Sequence, residues 1–189
     1  MVVAHPVAES LGQTAALTAI EACRRRGDQV EVIDLYGEDF DPVLTLAEWQ
    51  AHADPTFTRI HHGGHVRALE WATSLVLVYP TWFGGPPAML KGWFDRVWSA
   101  GVAYDLPSGG GPIRPRLRGI RDITVVTTHG SKKWMNSLQG EPGKRLTGRG
   151  LRVCASRRCR RHWIALYGVD MVSNEERVEF LNRVRARFS

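Results

Sequence analysis

The chain has few cysteines and no long apolar run. Its three cysteines, Cys23, Cys154 and Cys159, are an odd number without a CxxC pair, which indicates neither a disulfide framework nor a zinc site. No segment approaches the roughly 20 apolar residues of a membrane span, and the first residues lack the basic flank and apolar core of a signal peptide. We therefore expect reduced thiols in a soluble, cytoplasmic protein with no membrane partner.

Acidic residues are also in the minority. The chain has 25 Lys and Arg against 19 Asp and Glu, a formal net charge of +6, and the basic excess lies between Lys132 and Arg161. Such a balance would suit nucleic acid, but no recognition motif accompanies it, and a pocket for a dinucleotide diphosphate favours positive potential as well. We therefore expect no nucleic-acid partner.

Strand and helix patterns alternate along the chain. Its 189 residues, 43% of them hydrophobic, suffice for a single domain over residues 1–189. The alternation is typical of a parallel sheet wound with crossover helices. The five predicted strands are 1–4, 29–34, 75–79, 123–128 and 162–168, the predicted helices are 11–26, 65–72, 87–98, 143–159 and 174–187, and a long loop is predicted after the second strand.

The first predicted strand is short. It has four residues, whereas strands usually have about five or six, and the first strand of a doubly wound sheet is central. We expect either a natural chain that begins upstream of Met1 or a shortened central strand.

The segment 75–98 has the most informative pattern. An apolar strand ends at Pro80, and Thr81, Trp82 and Phe83 follow before a glycine pair, at the strand end where open α/β sheets bind ligands. Glycines let a flat ligand approach the backbone, and an aromatic ring can stack on it; the alternative is an ordinary pair of core aromatics. The next helix has one wide apolar face, predicted to be core or a dimer contact, formed by Met89, Leu90, Trp93, Phe94, Val97 and Trp98.

Two further turns follow predicted strands. Residues 5–10 lead from a strand into a helix, where free amides and the helix dipole can hold a phosphate, although Ser10 could simply cap the helix. Residues 127–131, with the sequence TTHGS, bring hydroxyls and a histidine to the same sheet edge, although a plain turn is the alternative.

Together these turns resemble the flavodoxin-like NAD(P)H:quinone reductases and their bacterial relatives. The shared motifs are an AHP turn at 4–6, YP at 79–80, an aromatic pair at 82–83, PA, LKGW and RV between 87 and 97, and the turn at 127–131. The resemblance implies a flavodoxin-like, doubly wound five-stranded parallel sheet with helices on both faces. It also implies a homodimer that binds FAD, with FMN as the alternative, and uses NAD(P)H to reduce a quinone-like acceptor by two electrons.

The resemblance further implies roles for individual residues. The first turn would hold the flavin phosphates, 80–83 would border the isoalloxazine, and the third turn would supply donors to flavin N1 and O2. His129, where the family commonly has glycine, is a candidate catalytic residue, with a solvent-facing histidine as the alternative. The cofactor-binding candidates are His5, Ser10, Leu11, Pro80, Thr81, Trp82, Phe83, Thr127, Thr128, Gly130 and Ser131.

Some features depart from the family or leave alternatives open. The mammalian enzymes have a tyrosine and a histidine where this chain places Asn136 and Pro142, so their proton relay does not transfer. Trp134 could cover the flavin or nicotinamide, and the preceding lysines could favour NADPH. A flavin-binding electron carrier or regulatory protein without a hydride step is the alternative function. The histidines at 61, 62 and 65 suggest a polar helix start rather than a metal site.

Overall fold

The computed structural model describes residues 1–107 and 109–189. The strands are β1 Val2–Val3, β2 Ile33–Asp34, β3 Ser74–Pro80, β4 Tyr104–Asp105, β5 Arg114–Pro115, β6 Asp122–His129 and β7 Arg160–Tyr167. The helices are α1 Leu11–Arg25, α2 Leu46–Gln50, α3 Pro55–Trp71, α4 Ala88–Val97, α5 Lys133–Leu138, α6 Pro142–Arg145 and α7 Asn174–Phe188. Five strands form a parallel sheet in the order β2-β1-β3-β6-β7, which confirms the predicted flavodoxin-like sheet, while β4 and β5 form a separate antiparallel pair.

Helices cover both faces of the sheet. In β3, Leu75, Leu77 and Tyr79 belong to the core on the α3 and α4 side, and Val76 and Val78 belong to the core on the α1 and α7 side. An unbroken apolar strand is what burial on both faces requires. Within the described residues, no helix is long and apolar enough to cross a membrane.

The apolar face of α4 lies in the core of this chain. Leu90, Trp93, Phe94 and Val97 are buried there, so the core interpretation of the stripe is confirmed over the dimer contact. In α7, Val178 is exposed. The buried stripe consists of Phe180, Val184 and Phe188, which repeat every four residues and pack against the sheet.

One regular helix over 143–159 was a wrong prediction. After α6 the chain continues as a wider π-helical turn, Leu146–Gly150, and a tighter 3₁₀ turn, Leu151–Cys154. Glycines at 148 and 150 lower helix propensity. A side chain at Gly148 would also overlap Nη1 of Arg161, so the backbone here makes room for a guanidinium.

Half of the segment predicted as a long loop, residues 35–64, is helical. Thr45 and Glu48 form a capping box at the start of α2, and Asp54 caps α3, accepting from the Thr56 amide at 2.9 Å, with Pro55 in the first turn. The predicted helix 65–72 is therefore only the second half of α3, which is kinked at His62.

A cavity of about 690 Å³ opens at the amino ends of the strands, lined partly by Met1, Leu75 and Arg187. It lies there because β1 has two residues and β3 has seven, and the ladder between them begins at Leu77. Ligands of parallel sheets bind at the opposite edge, so this cavity is not the candidate site.

The three cysteines take no part in cross-linking. All are buried free thiols, and burial raises the pKa of each, that of Cys154 to about 11. Thiols of this kind are unreactive at neutral pH.

Candidate functional site

Three loops meet at the carboxyl edge of the sheet. Val3 of β1 pairs with Val78 of β3, and Val78 pairs with Val126 of β6, so the three strands end side by side. The loops that follow them begin at Ala4, Thr81 and Gly130, respectively. The topology thus brings all three predicted turns to one place.

The first loop presents hydrogen-bond donors at the start of α1. Ser10 Oγ accepts from the Gln13 amide at 3.1 Å and keeps its own proton for a ligand. The Val7 amide donates to His5 Nδ1 at 3.1 Å, and burial lowers the pKa of His5, so the ring is neutral with its proton on Nε2. The Leu11 amide is in the first turn, where amides have no intrahelical acceptor. Ser10 therefore caps the helix, and the same turn offers donors suited to a phosphate.

The second loop is a tight aromatic turn. Trp82 and Gly85 exchange backbone hydrogen bonds of 2.9 and 3.0 Å, and Phe83 and Gly84 adopt left-handed conformations with φ of 47° and 76°. Trp82 is 62% exposed and Phe83 fully exposed, so the core-aromatic alternative is wrong. A left-handed Phe83 is strained, and such strain concentrates at functional sites.

A short polar chain joins the second loop to the end of β6. The Thr81 amide donates to the Thr128 carbonyl at 2.8 Å, and the Thr81 and Thr127 hydroxyls are 2.9 Å apart. Thr81 Oγ1 also lies 3.4 Å from Nε2 of His129. Since Thr127 and Thr128 are buried, their hydroxyls reach the edge less directly than we expected, and Thr81 is the more exposed member.

His129 is buried, which contradicts the solvent-facing alternative. Its side chain is 4% exposed and stacks on Tyr167, with ring centroids 4.5 Å apart. Burial lowers the pKa of His129, while its hydrogen bond with Asn136 and the negative charge of Glu141 act against this effect. The imidazole is therefore neutral at pH 7.

The third loop is held by Asn136, which the sequence indicated only as a departure from the family. The Asn136 amide nitrogen donates to Ser131 Oγ at 2.8 Å, and Gly168 donates to the Ser131 carbonyl at 3.0 Å. Gly130 packs near Asp170, because a Cβ atom at Gly130 would lie 3.6 Å from Oδ2 of Asp170. Tyr167 was missed, although its place opposite His129 at the end of a parallel strand could have indicated it.

A further apolar surface borders the aromatic turn. The Gly143 amide, in α6, donates to the Gly84 carbonyl at 3.2 Å, so the aromatic turn is hydrogen-bonded to α6. Exposed large side chains on α5 are Trp134, Met135 and Leu138. The end of α5 lies beside the aromatic turn, because a Cβ at Gly84 would be 3.1 Å from Oε1 of Gln139. We call the exposed apolar side chains of the two segments the edge patch: Trp82, Phe83, Trp134, Met135 and Leu138.

The three neighbouring histidines lie elsewhere. His62 Nε2 is 2.9 Å from Glu48 Oε1, His65 Nε2 is 2.8 Å from Glu38 Oε2, and the His61 ring packs on Phe57. The predicted polar helix start is wrong, because α3 begins at Pro55 and these residues lie in its interior. The described residues contain no group of three or more His, Cys, Asp or Glu placed to hold a metal ion.

Comparison with known proteins identifies relatives of this chain. The chain is 38% identical over 107 residues to the uncharacterized NAD(P)H oxidoreductase YcaK of Escherichia coli (55% of this chain, 54% of that protein). It is 28% identical over 166 residues to NAD(P)H dehydrogenase (quinone) 1 of Cavia porcellus (76% and 57%). The chain therefore spans a little over half the length of these curated relatives.

A solved structure and a sequence profile match nearly the whole chain. The NAD(P)H:quinone oxidoreductase of Methanothermobacter marburgensis superposes with a TM-score of 0.77 at 26% identity, covering 98% of this chain and 92% of that one. Residues 1–183 match the profile of the Flavodoxin_2 family, described as having a flavodoxin-like fold. The chain belongs to the Flavodoxin_2 family.

Proposed function

We propose that this protein is a flavin-dependent oxidoreductase that uses NAD(P)H to reduce a quinone or similar acceptor by two electrons. The observation that supports this most is the convergence of phosphate-type donors at α1 with an exposed aromatic turn after β3. The relatives, which bear NAD(P)H oxidoreductase and quinone dehydrogenase names, support the same reaction class.

The residues of this edge fit a flavin. The Ser10 hydroxyl, the His5 Nε2 proton and the Leu11 amide would hold its phosphates, since they are neutral donors at a helix N-terminus. The turn from Pro80 to Phe83, with glycines beyond it, would border the ring system. A bound flavin supplies hydride chemistry between nicotinamide and acceptor. The protein's part is to bind, orient and provide hydrogen bonds to the charge that reduction creates. We assign this role to Thr128, Gly130 and Ser131, with Thr127 acting through the Thr81 hydroxyl 2.9 Å away.

We favour FAD over FMN, because the resemblance of the motifs is to the quinone reductases. The choice of nicotinamide would depend on Lys132 and Lys133, which lie at the start of α5 near the edge patch and could pair with a 2′-phosphate. Trp134, 64% exposed on the same helix, would cover the flavin or the nicotinamide.

We further propose that the protein forms a homodimer through this edge. The edge patch places five large apolar side chains in solvent around the candidate site, and exposed apolar patches of this kind mark interaction surfaces. A second copy covering it would complete the pocket and exclude water. The buried free thiols fit a reducing compartment, which supports a cytoplasmic location.

The competing function is a flavin-binding electron carrier or regulatory protein. A carrier would bind flavin but would not be reduced by NAD(P)H. The basic net charge of +6 favours the reductase, because it suits an anionic dinucleotide substrate.

A flavin-loading and turnover experiment tests the proposal. The protein is loaded separately with FAD and FMN, freed of excess flavin, and assayed for oxidation of NADPH and NADH with and without a naphthoquinone. We expect retention of FAD and quinone-dependent oxidation of the nicotinamide. Flavin retention without nicotinamide oxidation would instead favour the carrier, and failure to retain either flavin would refute the cofactor assignment.

A further inference from the structure

His129 is enclosed but connected to the open edge of the sheet. Tyr167 stacks on its ring, and the Trp163 ring lies 6.2 Å away, centroid to centroid. Thr81, which is partly exposed, contacts the Nε2 atom of His129. A buried imidazole with one partly exposed hydroxyl beside it is placed to exchange a proton with the site.

The orientation of the Asn136 amide determines which nitrogen of His129 has the proton. Asn136 Nδ2 lies 3.0 Å from the Lys132 carbonyl and 3.3 Å from the Ser131 carbonyl, besides its contact with Ser131 Oγ. Carbonyl oxygens accept only, so the NH₂ group must face them. Asn136 Oδ1, an acceptor, is therefore the atom 2.8 Å from His129 Nδ1, and Nδ1 must donate.

The neutral ring consequently has no proton on Nε2. The 3.4 Å contact with Thr81 Oγ1 is a hydrogen bond only if Thr81 donates, and Thr127 must then donate to Thr81. The bond is longer than the 2.9 Å contact between the two hydroxyls and is therefore weaker. The hydroxyls thus have a defined direction, from Thr127 through Thr81 to His129.

We propose that Asn136 is a positioning residue that holds His129 as its Nδ1–H tautomer, so that Nε2 can store a proton and pass it through Thr81 to the acceptor. The first half of this proposal is independent of the proposed function, and the second half rests on it. His129 thus supplies the acceptor's proton in a chain that has Asn136 and Pro142 where the mammalian enzymes have the tyrosine and the histidine of their relay.

The proton balance is simple. A quinone that receives one hydride, derived from NAD(P)H, needs one proton to become a hydroquinone. Thr81 gives its hydroxyl proton to the acceptor oxygen and takes the Nε2 proton of the His129 imidazolium, which returns to neutral imidazole. In each turnover, Nε2 takes this proton from solvent through the same hydroxyl when negative charge reaches the edge, and the ring is neutral again after the transfer.

The charges around His129 suit a reversible store. Glu141 favours the imidazolium, and Lys144, which is 3.1 Å from Glu141, moderates that carboxylate. Asp170 lies beside Gly130, and the Tyr167 hydroxyl, whose pKa burial raises, remains neutral. Burial disfavours the imidazolium in the resting protein, so proton uptake would follow the arrival of negative charge at the edge.

Histidine-ring NMR of the ¹⁵N-labelled, flavin-free protein tests the tautomer. His129→Gln identifies the resonances. We expect Nδ1–H in the wild type and a shift toward Nε2–H in Asn136→Leu, while Asn182→Leu on the exposed part of α7 leaves it unchanged. An Nε2–H tautomer in the wild type, or no response to Asn136→Leu in a folded protein, would overturn the proposal.

A second variant tests the proton transfer. Asn136→Asp places a carboxylate next to Nδ1 and should raise the pKa of His129 by about 1 to 3 units, followed by NMR, whereas Asn182→Asp should not. In protein whose bound flavin has been reduced chemically, the rate at which a quinone reoxidises the flavin should fall at alkaline pH. The pH of this alkaline limb should rise by the same amount as the pKa of His129. An unmoved limb would overturn the proton-supply role. A loaded wild type that NAD(P)H cannot reduce would refute the proposed function, while the NMR result would still decide the tautomer.

Discussion

Replacing Glu48 with glutamine is expected to destabilise the fold by about 3 kcal/mol at pH 7 but by only about 1 kcal/mol at pH 3. Glu48 is 8% exposed and links three parts of the chain. It accepts from Arg96 Nε at 2.7 Å, from His62 Nε2 at 2.9 Å, and from the Thr45 amide and hydroxyl at 2.9 and 2.8 Å. Glutamine keeps the shape but leaves Arg96 without this buried charge.

The magnitude follows from the pKa of Glu48. Burial raises it, but the hydrogen bonds from His62, Thr45 and Arg96 outweigh burial and lower it from 4.5 to about 2. One pKa unit corresponds to about 1.4 kcal/mol. Because the folded pKa is depressed, this stability is fully present above the ordinary value of 4.5 and is lost as the pH falls toward 2.

Urea unfolding followed by tryptophan fluorescence at pH 7 and pH 3 measures the effect. Glu179→Gln, an exposed change on α7, is the matched control and should alter stability by less than about 0.5 kcal/mol. The reasoning fails if Glu48→Gln costs no more than the control at pH 7, or if its cost is the same at both pH values.

Three further predictions concern packing and the candidate site. Gly92→Ala should destabilise by roughly 1 to 3 kcal/mol in the same assay, because the new Cβ would overlap the backbone of Pro42; unchanged stability would contradict this packing. Trp82→Ala should weaken flavin binding without changing urea stability, since the ring is exposed, and a loss of stability with intact binding would assign it to the core. Ser10→Ala and Ser173→Ala should each cost about 1 kcal/mol through a lost helix cap, but only Ser10→Ala should weaken flavin binding in a titration; equal effects on binding would remove the phosphate role.

Local patterns were sufficient for the elements on which the site is built. The unbroken apolar run of β3 and the proline after it predicted both the strand and the place of the aromatic turn. The apolar stripe of α4 predicted a face for the core or for a dimer contact, and the structure places it in the core. Both features depend on residues that are close together in the chain, so they can be predicted from the sequence alone.

Other features depend on residues far apart in the chain. Glu48 forms hydrogen bonds with His62 and Arg96, which are 14 and 48 residues away in the chain. No local pattern indicates such a network, and the segment around α2 was therefore predicted as a loop. The Asp54–Pro55 pair was a local start signal for α3 that the prediction did not use.

Within the site, the sequence predicted which turns meet but not how their side chains are used. The burial of His129 follows from the register of β6 and β7, which pairs it with Tyr167 on the adjacent strand. The role of Asn136 follows from the fold of the loop that brings its amide to two carbonyls and to His129. Neither relation is visible before the strands are paired.

The most direct test of the central claim is anaerobic rapid mixing of the FAD-loaded protein with one equivalent of NADPH, followed by a quinone, while the visible flavin absorbance is recorded. The account predicts rapid bleaching by the nicotinamide and full recovery on adding one equivalent of quinone. A flavin that stays oxidised in the presence of NADPH and NADH, with either FAD or FMN bound, would contradict it.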